Sequence, residues 1–368
     1  MFVKRYRFAA LMAVATLFVG LIQAAERRIA TTAVTKPLAE PAASPTDRFD
    51  RPVPMGVSVG NTPSLPFIYA GTAGLLVQDV TDPGIKYILS NNHVLGAQGP
   101  TLCPGTAQPG TSTLQPGTLD IGSDPGNDPF YVVGNFARSV PLVRGLRARN
   151  MADAAISVTT LELAKSEIFG IGEPTVGTVE PVPGMPVIKS GRTTGVTNGT
   201  VDAVNVTLRV NYGNLCGRYR FVGQTTIVPG GFSTSGDSGS AILETATKTP
   251  TALLFAGSSS LTVGSPIDDV FDLLGVEMSG SDSAQRKAMR ANRFRDPEMS
   301  RLAAIQARHE DRLLDFDGVE GIGIGREGSR LVFKVYVTRL TPGLRSALPR
   351  DLEGIPVVIS ESGEITAR

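Results

Sequence analysis

The chain has no tryptophan, two cysteines and two histidines in 368 residues. Two cysteines exclude a disulfide-dense scaffold and a four-cysteine zinc site. His93 and His309 are the whole stock of imidazole, so any histidine chemistry runs through one of them. Excess charge is missing too: Lys+Arg is 35 against Asp+Glu 34. That excludes a nucleic-acid binder working through a global basic field. No self-similarity at a period of about 20–50 residues occurs, so solenoids and propellers drop out. Beyond the N-terminus no apolar run is long enough to span a bilayer.

What is present is an ordinary apolar content, 41%, enough for a large domain and a small one. Gly 41 and Pro 26 suit many short strands joined by turns. Lys4, Arg5 and Arg7 precede an apolar run from Phe8 to Ile22, with Gln23-Ala24-Ala25 behind it. Residues 1–25 read as a secretory signal, which predicts a secreted or periplasmic protein. Membrane attachment is expected only if that segment is retained. In an exported chain Cys103 and Cys216 either pair or remain as two buried thiols.

Residues 26–52 read as a flexible leader. From 53 to 278 short β-rich runs are punctuated by Gly, Pro, Asn and Asp, a pattern for an all-β sandwich or barrels. A helix closes this stretch, with Ser265 as N-cap and Pro266 in first position. Ile267, Val270, Leu273 and Leu274 form its apolar face, and Gly275 ends it. Residues 279–317 are charged and read as a helical linker with a basic cluster from Arg286 to Arg295; His309 falls on its exposed face. Such a linker predicts modest, polar contacts between the units on either side of it. Residues 318–368 read as a small β-β-α-β domain. No helix comes directly after Gly321-Ile322-Gly323-Ile324-Gly325, so that run is a strand and not a phosphate loop.

Chemistry concentrates in Ser235-Gly236-Asp237-Ser238-Gly239-Ser240. A serine between glycines lets a ligand backbone approach, and the N–H groups of Gly236 and Ser238 can converge on one oxyanion. A serine hydroxyl needs a base, and His93, at the end of a β-run, is the one available. The base in turn needs an orienting carboxylate. Asp153, ahead of an apolar strand of small residues, is the first choice. Asp120, which otherwise reads as a turn or strand-edge residue, competes with it, as do Asp124 and Asp128.

The order His93, Asp153, Ser238 is the chymotrypsin order. Gly236-Asp237-Ser238-Gly239, Asn91-Asn92-His93-Val94 and Asp153-Ala154-Ala155-Ile156 together resemble trypsin-like bacterial serine peptidases. Ser190-Gly191-Arg192-Thr193-Thr194-Gly195 looks like the α-lytic protease and streptogrisin group. The Asn-Asn-His-Val string is closer to the Glu-specific and HtrA-type branches. The resemblance covers about Gly56 to Gly275. It implies two six-stranded antiparallel β-barrels with the three residues in the cleft between them, a polypeptide substrate, and no cofactor or metal. By the same resemblance Asp237 enters a buried ion pair, with Lys189 or Arg192 as partner. Phe232 is the base of the side-chain pocket beside Ser233, and Phe255-Ala256-Gly257 forms its wall and pairs with substrate backbone. An aromatic base predicts small or apolar preference. Val94 stands where much of the family has Cys, and the resemblance supplies no role for the C-terminal extension. Rival readings are a non-catalytic binding protein on the same fold, with a partner for its last domain, or an esterase-like acyl hydrolase.

Overall fold

The computed structural model describes residues 43–62, 68–98, 103–123, 125–126, 128–281 and 296–368. The expected signal segment, most of the leader, Asp124 and the basic cluster from 286 to 295 lie outside the described residues. Residues 44–50 are tied down: Gln115 accepts from the Phe49 N–H and donates to the Asp47 carbonyl, and the Ser58 N–H donates to Pro45.

The first sheet pairs Ser58–Asn61, Ser112–Leu114, Val132–Ser139, Ala155–Thr159, Lys86–Ser90 and Leu75–Asp79 in antiparallel neighbours. It closes through a bend. Gly71–Thr72 pairs with Ser58–Asn61, and two residues later the same chain pairs with Lys86–Ser90. At the bend Ala73 donates to Val57 and Gly74 to Leu89. Gly74 has to be glycine, because a Cβ there would run into the Gly239 carbonyl of the serine turn. Val276–Met278 returns to this sheet and pairs with Leu75–Asp79. Leu75, Val77, Ile88, Leu89, Ile156 and Leu253 fill its core.

The second sheet contains a closed ring. Gly195–Asn211, Pro186–Gly191, Ala241–Glu244, Pro250–Gly257, Thr262–Pro266 and Arg218–Val228 pair in that order, and the last pairs with the first. All six contacts are antiparallel. Gly195–Asn211 is one long strand with a bulge where Asn205 takes φ 51°. The helix after the ring is Ile267–Leu274, one residue later than its sequence suggests. Ser265 lies inside the preceding strand, Thr262–Pro266, instead of capping, its hydroxyl donating to Gln224 Oε1 in the core.

Residues after 296 continue the second sheet. Val319–Glu327 lies antiparallel to Gly195–Asn211, then Arg330–Val337 and Ile355–Glu361 extend it outward. Gly321, Gly323 and Gly325 permit this approach: a Cβ on any of them would press on Leu208, Val206 or the Asp202 carbonyl. The helix Pro297–Leu314 lays Leu302, Ile305, Leu313 and Leu314 against Ile322, Ile324 and Phe333. Its charged side meets the ring, where Arg220, 3% exposed, is held by Glu310 at 2.9 Å and Asp311 at 2.8 Å. His309 sits on the same helix, paired with Glu353 at 3.0 Å.

Candidate active site

Strand register brings the first two residues together. Ser90 faces Ala155, so the residues just past each strand end become neighbours. The helix Asn92–Leu95 starts there and carries His93; Asp153 stands opposite, fully buried. Asn91 Nδ2 donates to the Asp153 carbonyl at 2.6 Å, and Asn92 is tied to Val140 and Gly105 through its side chain. The Asn-Asn-His string is thus two anchored asparagines followed by the candidate base.

Ser238 comes from the second ring, on the turn before Ala241–Glu244. His93 Nε2 lies 2.8 Å from Ser238 Oγ, and His93 Nδ1 lies 2.6 Å from Asp153 Oδ2. Asp153 Oδ1 accepts from the N–H of Asn92 at 2.6 Å and of His93 at 3.2 Å. A further hydroxyl reaches it: Tyr212 Oη donates to Asp153 Oδ2 at 2.6 Å. Nothing in the local sequence marks Tyr212, which directly follows the strand Gly195–Asn211 and arrives from the other ring. Its ring stands edge-on to His93, 5.7 Å between centroids. The Cys103–Cys216 disulfide ties the turn after Tyr212 to the loop after His93.

These contacts fix the electrostatics. Burial disfavours the His93 imidazolium, but the Asp153 carboxylate, its hydrogen bond and the Arg368 carbonyl together outweigh burial and hold His93 above the ordinary imidazole value. Burial would raise Asp153; the charge and hydrogen bond of His93, with the Tyr212 hydroxyl, outweigh it and keep the carboxyl low. Burial, then the Asp153 charge, drives Tyr212 well above the phenol range, so its hydroxyl keeps its proton.

The serine turn is held from below. Asp237, fully buried, accepts from the N–H groups of Thr193, Thr194 and Thr234 and from Thr194 Oγ1. Lys189 Nζ stands 3.6 Å from Asp237, both side chains excluded from solvent. Arg192 goes elsewhere, making a two-pronged pair with Asp120 at 2.7 and 2.5 Å. Asp120 also accepts from Ser58. Asp128 accepts from the Phe130 N–H in its own loop. Thr72 ties down both carbonyls of the turn, its Oγ1 on Gly236 at 3.0 Å and its N–H on Ser238 at 2.7 Å. Gly236 takes φ +97°, which favours glycine.

The pocket residues divide. Phe232 is 1% exposed and packs into the ring core with Val187, Val201 and Ile227; Ser233 is buried and bonded to Thr262. Phe255, Ala256 and Gly257 form the strand beside Ser238, and Ser238 Oγ lies 3.3 Å from the Phe255 carbonyl.

No family model and no curated protein matches the chain. Among solved structures it is similar to a glutamic acid-specific serine protease that uses a histidine triad in substrate binding, at 22% identity and TM-score 0.42 over 61% of this chain and 100% of that one. It is also similar to Thermobifida fusca protease A, at 18% identity and TM-score 0.40 over 61% and 98%. A Nocardiopsis protease gives 18% identity and TM-score 0.41 over 61% and 98%. Among the described residues no helix is long and apolar enough to cross a membrane, and no group of three or more His, Cys, Asp and Glu side chains is placed to hold a metal ion.

Proposed function

We propose that the chain is an exported serine endopeptidase that cleaves peptide bonds through His93, Asp153 and Ser238. One observation carries the reading: Ser238 Oγ, His93 and Asp153 form an unbroken line of hydrogen bonds from a nucleophile to a buried carboxylate. Ser238 Oγ attacks the peptide carbonyl while His93 Nε2 takes its proton. Asp153 holds Nδ1–H toward itself and stabilises the imidazolium. The N–H groups of Gly236 and Ser238 receive the oxyanion, each such donor contributing roughly 10²–10³ in rate. His93 then protonates the leaving amine, and water clears the acyl-enzyme by the same steps in reverse. The Asp237–Lys189 pair and Thr72 act by holding the turn. The polypeptide lies extended along Phe255–Gly257, pairing as an added strand.

Fluorophosphonate labelling followed by casein hydrolysis tests this. The intact chain is expected to label and to cleave casein. Ser238→Ala is expected to do neither while melting like the parent, since only one oxygen is lost. Labelling that persists in Ser238→Ala refutes the assignment.

A further inference from the structure

The groove proposed to take substrate is already filled. Thr366–Ala367 lies antiparallel to Pro250–Gly257, with Ala367 opposite Ala256 and Thr366 opposite Gly257. The Arg368 N–H donates to the Phe255 carbonyl at 3.1 Å. The Arg368 carbonyl oxygen lies against Ser238 Oγ and stands 3.2 Å from His93 Nε2. The Arg368 side chain runs over Gly257, where a Cβ would come within 2.6 Å of Nε, and its Nη2 donates to the Ser258 carbonyl. An extended antiparallel segment and a backbone bond beside the nucleophile are contacts that a peptide's acyl side makes.

The segment is delivered by firm anchors. Ile365 is fully buried, and its carbonyl accepts from the Asn211 N–H at 2.9 Å. Glu364 pairs with Arg218 at 2.6 Å and Asn211 at 3.0 Å. Ser362 bonds to Val337 and Ser260. The last residue is held less well. Among the described residues Arg368 Nε is buried without a hydrogen-bond partner, and its guanidinium meets a carbonyl and no side-chain carboxylate. Asp237, which lies toward it, is already paired with Lys189. An occupant with one unsatisfied buried donor is releasable.

Resting on the peptidase reading above, we propose that Thr366–Arg368 is a substrate-like strand which the C-terminal unit holds in the active site of its own chain, so that a polypeptide substrate must displace it. Tethering makes this efficient, because a segment held close to the site by the same chain is present at a millimolar-scale effective concentration. The C-terminal unit then regulates access, and the register of Ala367 and Arg368 marks where the two residues before a scissile bond sit.

The test compares fluorophosphonate labelling rates of the full chain, a form ending at Ile365, and full-length Arg368→Glu. Ending at Ile365 keeps the buried anchor. Removing residues 366–368 is expected to speed labelling by at least about tenfold. A synthetic peptide of sequence Gly-Glu-Ile-Thr-Ala-Arg, added back, is expected to slow it again. Arg368→Glu places a carboxylate against the Ser258 carbonyl and is expected to label faster than the parent. Equal rates for the full chain and the shortened form overturn self-occupancy and leave the peptidase reading standing. If the shortened form does not fold, an unchanged rate in Arg368→Glu overturns it instead. If neither form labels although both melt cooperatively, the peptidase reading fails and takes this inference with it.

Discussion

Asp153 receives four hydrogen bonds on two oxygens, two from backbone N–H groups, one from His93 and one from Tyr212. That arrangement leaves the carboxylate one orientation and the imidazole one tautomer. Asp153→Asn presents an amide where a carboxylate is needed and is expected to lower turnover by about 10⁴, as wrong-tautomer changes do. Asp120→Asn is expected to spare chemistry, since its partners are Arg192 and Ser58. The proposed mechanism needs neutral His93, and Asp153 together with the Arg368 carbonyl favours the charged form more than burial opposes it. kcat/KM on a peptide ester is therefore expected to rise with pH through a midpoint above the ordinary imidazole value. Tyr212→Phe removes a donor that shares the Asp153 charge, so more of that charge falls on His93. The midpoint is expected to move further up, and stability to fall by about 1–3 kcal/mol. A midpoint that stays put or moves down would count against Tyr212 as a positioning residue.

At the scale of elements, the legible part of the site rested on short-range pattern. His93 and Asp153 each stand just past the end of an alternating β-run, and pairing those two runs at Ser90 and Ala155 brings them together. The glycine-flanked Ser238 marked its own turn. Tyr212 and Arg368 were not legible, because each reaches the site only through pairing of distant strands. Phe232 reads as a pocket base by position, and its ring packs among Val187, Val201 and Ile227. Ser265 looked like a cap, and Gln224 offered its hydroxyl a buried partner instead. The two cysteines left pairing open until both loops were placed. Their bond joins residues 113 apart. Removing a link over such a distance costs about 4–5 kcal/mol in the chain-entropy view. Cys103→Ser with Cys216→Ser is expected to lose about that much in urea unfolding. It is also expected to lower kcat, because the turn after Tyr212 is released. Full activity in the double variant would mean that Tyr212 is held without the bond.

For the whole molecule, the question is whether residues beyond the second ring are an appendage. Their charged lead-in predicts loose, polar contacts, and the basic part of it lies outside the described residues. The C-terminal unit instead pairs Gly325, Ile324, Ile322 and Gly321 with Ala203, Val204, Thr207 and Leu208 along an open flank of the ring. Tyr336 and Ile365 are buried in one cluster with Val206, Leu208 and Phe255. Tyr336 also spans the junction by hydrogen bonds to Thr226 at 2.8 Å and Asp202 at 2.7 Å. A form ending at Ser281 keeps both rings and the helix Ile267–Leu274, but it uncovers these apolar residues and leaves a strand edge unpaired. Exposed edges of that kind template association. The shortened form is expected to melt at a lower temperature than the full chain and to self-associate as its concentration rises, measured by calorimetry and light scattering. Where it remains folded it also lacks residues 366–368, so its surviving monomer is expected to label faster than the parent. Loss of stability and gain of reactivity would then appear in one molecule, which an independent appendage does not produce. A shortened form that melts with the parent, stays monomeric and labels at the parental rate would show that the last unit is neither part of the fold nor a guard on the site.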